Sequence, residues 1–136
     1  MILVLVAIAA ASPFLLARGK GNDLVQWRGD FEAAKAEAKS TGRLLLIDFT
    51  ADWCGPCRTM KRETFSSDRV AKALESYVPV MVDLSSRTGP GTVVASQFGV
   101  SAIPTLMIVD ADGNVLRKQV GGMGPDLFLE WLAEKK

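Results

Sequence analysis

The sequence predicts an α/β domain with a mixed central sheet and helices on both of its faces. Residues 44–49 and 78–82 are short, almost continuous apolar runs, which are typical of strands buried on both faces, and a helical pattern lies between them. Two later strand patterns are joined by the turn sequence at 112–114, which favours an antiparallel hairpin. A βαβ unit followed by a hairpin and a final helix gives a mixed sheet that is covered on both sides.

Local signals place the elements of the first half. Asp30 can cap a helix that Gly42 ends, because an Asp oxygen accepts hydrogen bonds from the first turn and glycine tolerates the left-handed conformation. Residues 44–49 follow as a buried strand. Beyond them we expect a charged helix after Cys57, a helix capped by Asp68 and a second buried strand over residues 78–82.

The second half is punctuated in the same way. We expect a loop over residues 85–91, a helix over 92–98 that Gly99 ends, and a strand over 105–109. The hairpin then leads into a strand over 115–120. Pro125 and Asp126 open a last helix, whose apolar residues recur at helical spacing.

The first twenty residues form a separate segment. Residues 1–17 carry no charge and are strongly apolar, so they predict a membrane anchor or a cleaved signal segment. Arg18, Lys20 and the glycines beside them separate this segment from the rest, which disfavours the alternative of a buried core helix. The predicted organisation is an anchor or signal over 1–20 and one globular domain over 21–136, with a linker that ends near Trp27.

The orientation of this anchor is contested. Arg18 and Lys20 follow the apolar segment, and the positive-inside rule alone would keep the domain on the cytoplasmic face. An apolar segment at the start of a small domain is instead typical of an exported protein. We expect a domain tethered at the extracytoplasmic face, and the cytoplasmic face stays open as the alternative.

The composition excludes several classes of function. The chain of 136 residues has no histidine, so Ser-His-Asp and Cys-His nucleophile systems and histidine-ligated metals are impossible. Beyond residue 20 it has 14 basic and 15 acidic side chains, which gives no electrostatic footprint for nucleic acid. With 49% hydrophobic residues the domain can build a core without disulfides, so we expect its two cysteines to carry chemistry.

The two cysteines are spaced for thiol chemistry. Cys54 and Cys57 open a predicted helix, where unpaired backbone N–H groups favour a thiolate at the first sulfur. Cys54 is therefore the expected nucleophile, and Cys57, one turn deeper, is placed to resolve the mixed disulfide that Cys54 forms. Pro56 suits the first helical turn. Half of a zinc site is the alternative, but two further ligands would have to come from carboxylates.

Three segments resemble thioredoxins. Residues 48–57, Asp-Phe-Thr-Ala-Asp-Trp-Cys-Gly-Pro-Cys, are similar to the thioredoxin active-site segment, Ile103-Pro104-Thr105 to the cis-proline loop, and Val120-Gly121-Gly122 to the loop before the last helix. The resemblance covers about residues 25–136 and implies the thioredoxin fold and dithiol exchange. Residues 51–54 and 63–65 further resemble the carboxy-terminal domain of transmembrane thiol:disulfide interchange proteins, which favours export.

The resemblance implies roles for single residues. Asp48 matches the buried acid beneath the resolving cysteine, and burial alone should raise the pKa of such a carboxyl and let it exchange a proton with Cys57. A strand-end carboxylate bonded to backbone is the alternative. The expected substrate-binding residues are Trp53, Gly55, Pro56, Ile103, Pro104 and Gly121. Trp53 would cap the site, with an ordinary packed aromatic as its alternative, and Pro104 would follow a cis peptide bond.

The chain departs from thioredoxins at two positions. Arg62 stands where they carry a proline in the helix after the motif, which predicts a straighter helix. Residues 78–84 contain no lysine to face the buried acid, so a second group that tunes Asp48 is not evident. Arg58 can support the thiolate, although a solvated surface charge is the alternative.

Together these observations predict a membrane-tethered oxidoreductase that reduces protein disulfides through Cys54 and Cys57. The Gly-Pro dipeptide resembles the reducing members of the family. A dithiol oxidase or electron relay and a redox-inert binding module are the alternatives. The expected partners are client proteins with disulfides, an upstream dithiol electron donor and, through residues 1–17, the membrane; we expect a monomer, no cofactor, no metal and no nucleic acid.

Overall fold

The computed structural model describes residues 23–134 and shows the predicted order of helices and strands. The helices are α1 (Phe31–Thr41), α2 (Gly55–Glu63), α3 (Asp68–Ala73), α4 (Pro90–Gln97) and α5 (Pro125–Ala133). The strands are β1 (Leu44–Thr50), β2 (Tyr77–Asp83), β3 (Thr105–Val109) and β4 (Val115–Val120), and a 3₁₀ turn at Leu74–Ser76 joins α3 to β2.

The strands form one mixed sheet in the order β2-β1-β3-β4. β1 pairs with β2 in parallel orientation and with β3 in antiparallel orientation. β3 and β4 are the two antiparallel strands of a hairpin. The hairpin turn uses Gly113, whose φ of 90° is open to glycine at no steric cost. The mixed sheet predicted from the sequence is confirmed.

Each face of the sheet is covered by helices. Alternate residues of β1 point to opposite faces, so Leu45 and Ile47 pack with α1 and α4, whereas Leu46 packs with α2, α3 and α5. The first core contains Phe31, Ala34, Ala38, Phe49, Val78, Val80, Ala95 and Met107. The second contains Met60, Phe65, Val70, Leu74, Leu106, Ile108, Phe128 and Trp131.

The observed helix ends confirm some boundary predictions and correct others. Asp30 caps α1 by accepting a hydrogen bond from the N–H of Ala33 at 3.1 Å, and Gly42 ends the helix with a φ of 69°. Asp68 is the first residue of α3, not its cap, because Ser67 takes the cap position. α4 begins at Pro90, inside the predicted loop, since proline at a first helical position loses no hydrogen bond.

The segment before α1 is part of the domain, and its interpretation as a linker is wrong for residues 23–27. Val25 is buried in the second core, and the ring of Trp27 packs edge-to-face on Phe65 with centroids 4.8 Å apart. Arg28 extends the sheet beside β2: its N–H donates to the carbonyl of Pro79 and its carbonyl accepts from the N–H of Met81, each at 2.9 Å.

The predicted anchor over residues 1–20 lies outside the described residues. Within residues 23–134, no helix combines the length and the apolar character needed to cross a membrane.

The contrast between the caps of α1 and α3 leads to a stability prediction. Asp30→Ala should lower the free energy of unfolding by about 1 kcal/mol, because it removes the acceptor for the N–H of Ala33. Ser67→Ala is the matched control, since the Ser67 side chain makes no capping hydrogen bond and its loss should cost less. Equal losses in urea unfolding of the two variants would contradict this account.

Candidate active site

Cys54 and Cys57 form a disulfide at the start of α2, with their Cα atoms 5.2 Å apart. Cys54 is the N-cap residue of the helix, and its sulfur accepts a hydrogen bond from the N–H of Cys57 at 3.3 Å. A sulfur in this position meets the positive end of the helix dipole, which favours its thiolate once the disulfide is reduced. The geometry therefore distinguishes the two sulfurs.

The turn that carries Cys54 is held to the neighbouring strand connection. The N–H of Cys54 donates to the carbonyl of Ala51 at 3.2 Å, and the N–H of Asp52 donates to the hydroxyl of Ser85 at 2.8 Å. The N–H of Leu84 donates to the carbonyl of Thr50 at 2.7 Å. These contacts tie the residues between β1 and α2 to the end of β2, so the cysteines rest on the rigid part of the sheet.

The rim of the site is far more exposed than the sulfurs. Cys54 and Cys57 are only 6% and 5% exposed, whereas Trp53 is 65% exposed. Gly55 and Pro56 also face solvent. The alternative of Trp53 as an ordinary packed aromatic is not what the structure shows. Arg58 lies at the surface and donates to the carbonyl of Asp52 at 3.3 Å.

The loop before β3 meets the cysteines. Ile103 packs with Ala51 and Leu84 against the disulfide, and the bond between Ile103 and Pro104 is cis, as the resemblance implies. The N–H of Gly121 donates to the carbonyl of Pro104 at 2.9 Å. Gly121 has a φ of 98° and open space where a Cβ would project, so its backbone conformation is the reason for glycine here.

Asp48 is buried in the sheet with an unsatisfied oxygen. Its side chain is 5% exposed, and Oδ1 has no hydrogen-bond partner. Burial, with a smaller contribution from the negative charge of Asp23, raises the pKa of Asp48 from 3.8 to about 7. The alternative for Asp48 was a strand-end carboxylate that accepts hydrogen bonds from backbone N–H groups. It does not fit, because Oδ1 accepts no hydrogen bond.

The position of Asp48 in β1 places it on the face that α2 covers. Side chains two residues apart share a face, so Asp48 faces the same way as Leu46, which packs with Met60 of α2. Cys57 and Met60 are the buried residues of α2, one turn apart. Because Asp48 is nearer the end of β1 that leads to α2, it faces the part of the helix that begins with Cys57.

Sequence reasoning missed one buried acid near this face. Asp23 is 6% exposed and accepts hydrogen bonds from the backbone N–H of Val25 and from the indole N–H of Trp27. The local signal is an acid two residues before Val25 and four before Trp27, inside the stretch that the sequence predicts as a linker. Among residues 23–134, no group of three or more acidic or cysteine side chains is arranged to hold a metal ion.

The chain belongs to a family of thioredoxin-like domains, whose model matches residues 31–136. Among curated proteins, it is 33% identical over 119 residues to the thiol:disulfide interchange protein DsbD of Ralstonia nicotianae, covering 88% of this chain and 19% of that protein. It is 29% identical over 108 residues to DsbD of Pseudoalteromonas atlantica, covering 79% of this chain and 18% of that protein. The chain thus spans about a fifth of the length of these relatives.

Solved structures agree on the fold. A thioredoxin from Thermus thermophilus aligns with a TM-score of 0.69 and 25% identity, covering 79% of this chain and 84% of that one. The oxidised C-terminal domain of DsbD from Neisseria meningitidis aligns with a TM-score of 0.64 and 24% identity, covering 77% and 95%. The predicted thioredoxin fold is confirmed, and with the paired cysteines the findings support the predicted class, a thiol-disulfide oxidoreductase.

The buried carboxyl of Asp48 predicts how stability depends on pH. A carboxyl whose pKa is higher in the folded state, about 7 against 3.8, binds its proton more tightly there, so its contribution to stability falls as pH rises from about 4 and levels off above about 7. The difference between the two pKa values corresponds to roughly 4 kcal/mol as an upper bound.

Asp48→Asn should remove this penalty. The stability of the variant relative to the parent protein should therefore increase from pH 4 to pH 8, as measured by denaturant unfolding of the oxidised proteins, in which no thiol titrates. A stability difference that stays constant over this range would contradict the raised pKa of Asp48.

Proposed function

We propose that this protein reduces disulfide bonds in other proteins by dithiol–disulfide exchange through Cys54 and Cys57. The observation that carries the proposal is the position of Cys54, which caps α2 and whose sulfur accepts the N–H of Cys57. This position lowers the cost of a thiolate at Cys54 and puts the second sulfur within bonding reach.

The proposed reaction has two exchange steps. The Cys54 thiolate attacks one sulfur of the client disulfide, so that a mixed disulfide forms and the other client sulfur leaves as a thiolate. Cys57 then gives its proton to the Asp48 carboxylate and attacks Cys54 Sγ. The mixed disulfide breaks, the second client sulfur leaves, and both client thiolates take up protons. Two electrons pass to the client, and the Cys54–Cys57 disulfide remains.

Asp48 suits the role of proton acceptor because of its surroundings. A carboxyl with a pKa of about 7 can both accept and release a proton near neutral pH. Its Oδ1, without another partner, is free to take the proton of Cys57. An upstream dithiol donor would reduce the Cys54–Cys57 disulfide by the same steps in reverse and return the proton to Cys57.

The client would bind across the exposed rim of the site. Trp53, Gly55 and Pro56 offer exposed surface beside the nearly covered sulfurs. Ile103 and Pro104 would pair with an extended client segment, and the bare backbone of Gly121 leaves room for it to approach. The transfer direction follows from the Gly55-Pro56 dipeptide, which resembles the reducing members of the family.

The location of the protein is part of the proposal. Residues 1–20 would tether the domain of residues 21–136 to the membrane at its extracytoplasmic face, where the domain would act as a monomer. The similarity to DsbD, named a thiol:disulfide interchange protein, supports a place in a chain of exchange reactions.

Replacement of the resolving cysteine tests the mechanism. Cys57→Ser should leave Cys54 covalently bound to its clients, since Cys54 and Cys57 are the only cysteines in the chain and no other thiol can resolve the mixed disulfide. The complexes should run as higher-mass bands in non-reducing gels and disappear on reduction, and their composition identifies the clients.

The matched control is Cys54→Ser. Its remaining thiol lies inside the first helical turn and lacks the cap position, so it should trap roughly tenfold less partner. Equal trapping by the two variants would show that the roles of Cys54 and Cys57 are assigned wrongly. Absence of trapping by both, with no thiol that reacts with a disulfide reagent after reduction, would favour a redox-inert binding module.

The membrane tether predicts where the domain fractionates. The full chain should sediment with membranes, and a chain that begins at residue 21 should stay in the supernatant, because residues 1–17 supply the apolar segment. Protease added after the outer envelope is opened should digest the domain of the full chain. Protection of the domain under those conditions would place it on the cytoplasmic face.

A further inference from the structure

The end of α2 carries a segment that the proposed mechanism does not use. Residues 63–65 resemble the interchange proteins, and Thr64, in the middle of this segment, is fully buried. Its N–H donates to the carbonyl of Met60 at 2.9 Å, and its hydroxyl donates to the carbonyl of Met123 at 2.6 Å. Met123 belongs to the β4–α5 loop, residues 121–124. A buried hydroxyl needs a hydrogen-bond partner, so this contact favours one position of the loop.

One face of α2 continues this contact toward the cysteines. Pro56, Met60 and Thr64 are spaced four residues apart, and Thr64 keeps helical backbone angles, so the three share one face of the helix. A Cβ on Gly122 would lie 3.6 Å from Cγ of Met60 and 3.8 Å from the carbonyl oxygen of Pro56. The β4–α5 loop therefore runs along this face, with Gly122 over Pro56 and Met60 and with Met123 at Thr64.

The start of the β4–α5 loop is joined to the loop before β3. The N–H of Gly121 donates to the carbonyl of Pro104 at 2.9 Å. Only one residue separates Gly121 from Met123, and two residues span at most about 7 Å. The contacts to Thr64 and to Pro104 therefore act on the same short piece of backbone, and a displacement of Met123 also moves Gly121.

We propose that Thr64 is a positioning residue that sets how closely a client segment can approach the cysteine pair. Its hydroxyl holds Met123 and, through Met123, the bare backbone of Gly121. Thr64 acts through the loop and not on the reacting sulfurs. This role rests on the proposed binding of an extended client segment beside Gly121.

The expected effect of losing the hydroxyl follows from the Met123 carbonyl. Without Thr64 as its donor, this partly buried carbonyl gains a new partner only by moving toward water. The client then meets a loop that is no longer held in its binding position, and part of the binding free energy is used to restore it. Client binding should weaken. Exchange at Cys54 should keep its rate, because the hydrogen bond at the start of α2 is unchanged.

Steady-state reduction of insulin disulfides tests this role, with the full chain in detergent and dithiothreitol as the electron donor. Thr64→Val should raise KM about fivefold, the factor that corresponds to one hydrogen bond, and leave kcat unchanged. The reaction with 5,5′-dithiobis(2-nitrobenzoate), a small disulfide that needs no extended binding surface, should keep its rate. Thr64→Ser, which keeps the hydroxyl, should have the KM of the parent protein.

Two further variants keep the test decisive. Thr64→Val places a methyl group against the Met123 carbonyl, so a comparison of Thr64→Ala with Thr64→Ser isolates the hydroxyl if Thr64→Val does not fold. Thr41→Val is the matched control, because it removes a threonine hydroxyl that donates to the carbonyl of Glu37 at 2.7 Å. Thr41 precedes β1, whereas the cysteines follow the other end of that strand, so this variant should have the kinetics of the parent protein.

The kinetic outcomes separate positioning from general damage. A rise in KM in Thr64→Val or Thr64→Ala that is absent in Thr64→Ser supports the proposal. An unchanged KM in a folded variant that lacks the hydroxyl overturns it. Equal slowing with insulin and with the small disulfide also overturns it, since a defect in the cysteine site would affect both reactions.

Hydrogen exchange separates this inference from the proposed function. The N–H of Gly121, which is bonded to Pro104, should exchange about fivefold faster in Thr64→Val and Thr64→Ala than in the parent protein and Thr64→Ser. If the parent protein does not reduce insulin, the proposed function fails, and the exchange rate still decides whether Thr64 holds the loop. An equal exchange rate in all of these proteins would show that it does not.

Discussion

The start of α2 is the constraint on which the site depends. The first N–H groups of a helix have no partner inside it, and here the sulfur of Cys54 meets the N–H of Cys57. This arrangement requires β1 to end at Thr50 and α2 to begin at Gly55, with the intervening turn held by backbone contacts and by the Ser85 hydroxyl. Because the turn joins a central strand to a helix that packs on the sheet through Cys57 and Met60, the sulfurs have the rigidity of the core.

The same packing sets the acid–base properties of the site. A carboxyl in a sheet core is stable in its neutral form, and ionising Asp48 leaves a charge with little solvent and an oxygen without a partner. A purely structural residue at this position would be apolar, like Leu46 and Ile47 on the same strand. The buried carboxyl of Asp48 therefore lowers the stability of the fold at neutral pH. In return, the site has a group that can exchange protons in that pH range.

The sequence was most informative where structure is decided locally. The strands Thr105–Val109 and Val115–Val120 were predicted with the observed bounds, because turn residues delimit both segments. The pairing of Cys54 with Cys57 could be predicted from their spacing, since two cysteines three residues apart at a helix start lie about one turn apart, with their sulfurs close together. The cis bond at Pro104 required the resemblance to thioredoxins, because an X-Pro pair gives no local signal for its isomer. Asp23 was missed because its own segment has no periodicity, and because the contacts that bury this segment, from Leu24 and Trp27 to Phe65, join residues distant along the chain.

The short pairing of Arg28 with β2 also bears on self-association. Exposed strand edges are templates on which other chains can add strands and aggregate. Pro79 lacks an N–H and Arg28 occupies its carbonyl, so this stretch of the β2 edge offers a newcomer few hydrogen bonds. At the opposite edge of the described sheet, β4 carries the exposed cation Lys118, which repels the same side chain of a second copy. Both edges therefore disfavour strand addition, so a sheet edge does not compete with the client docking that we propose at the Ile103–Pro104 loop.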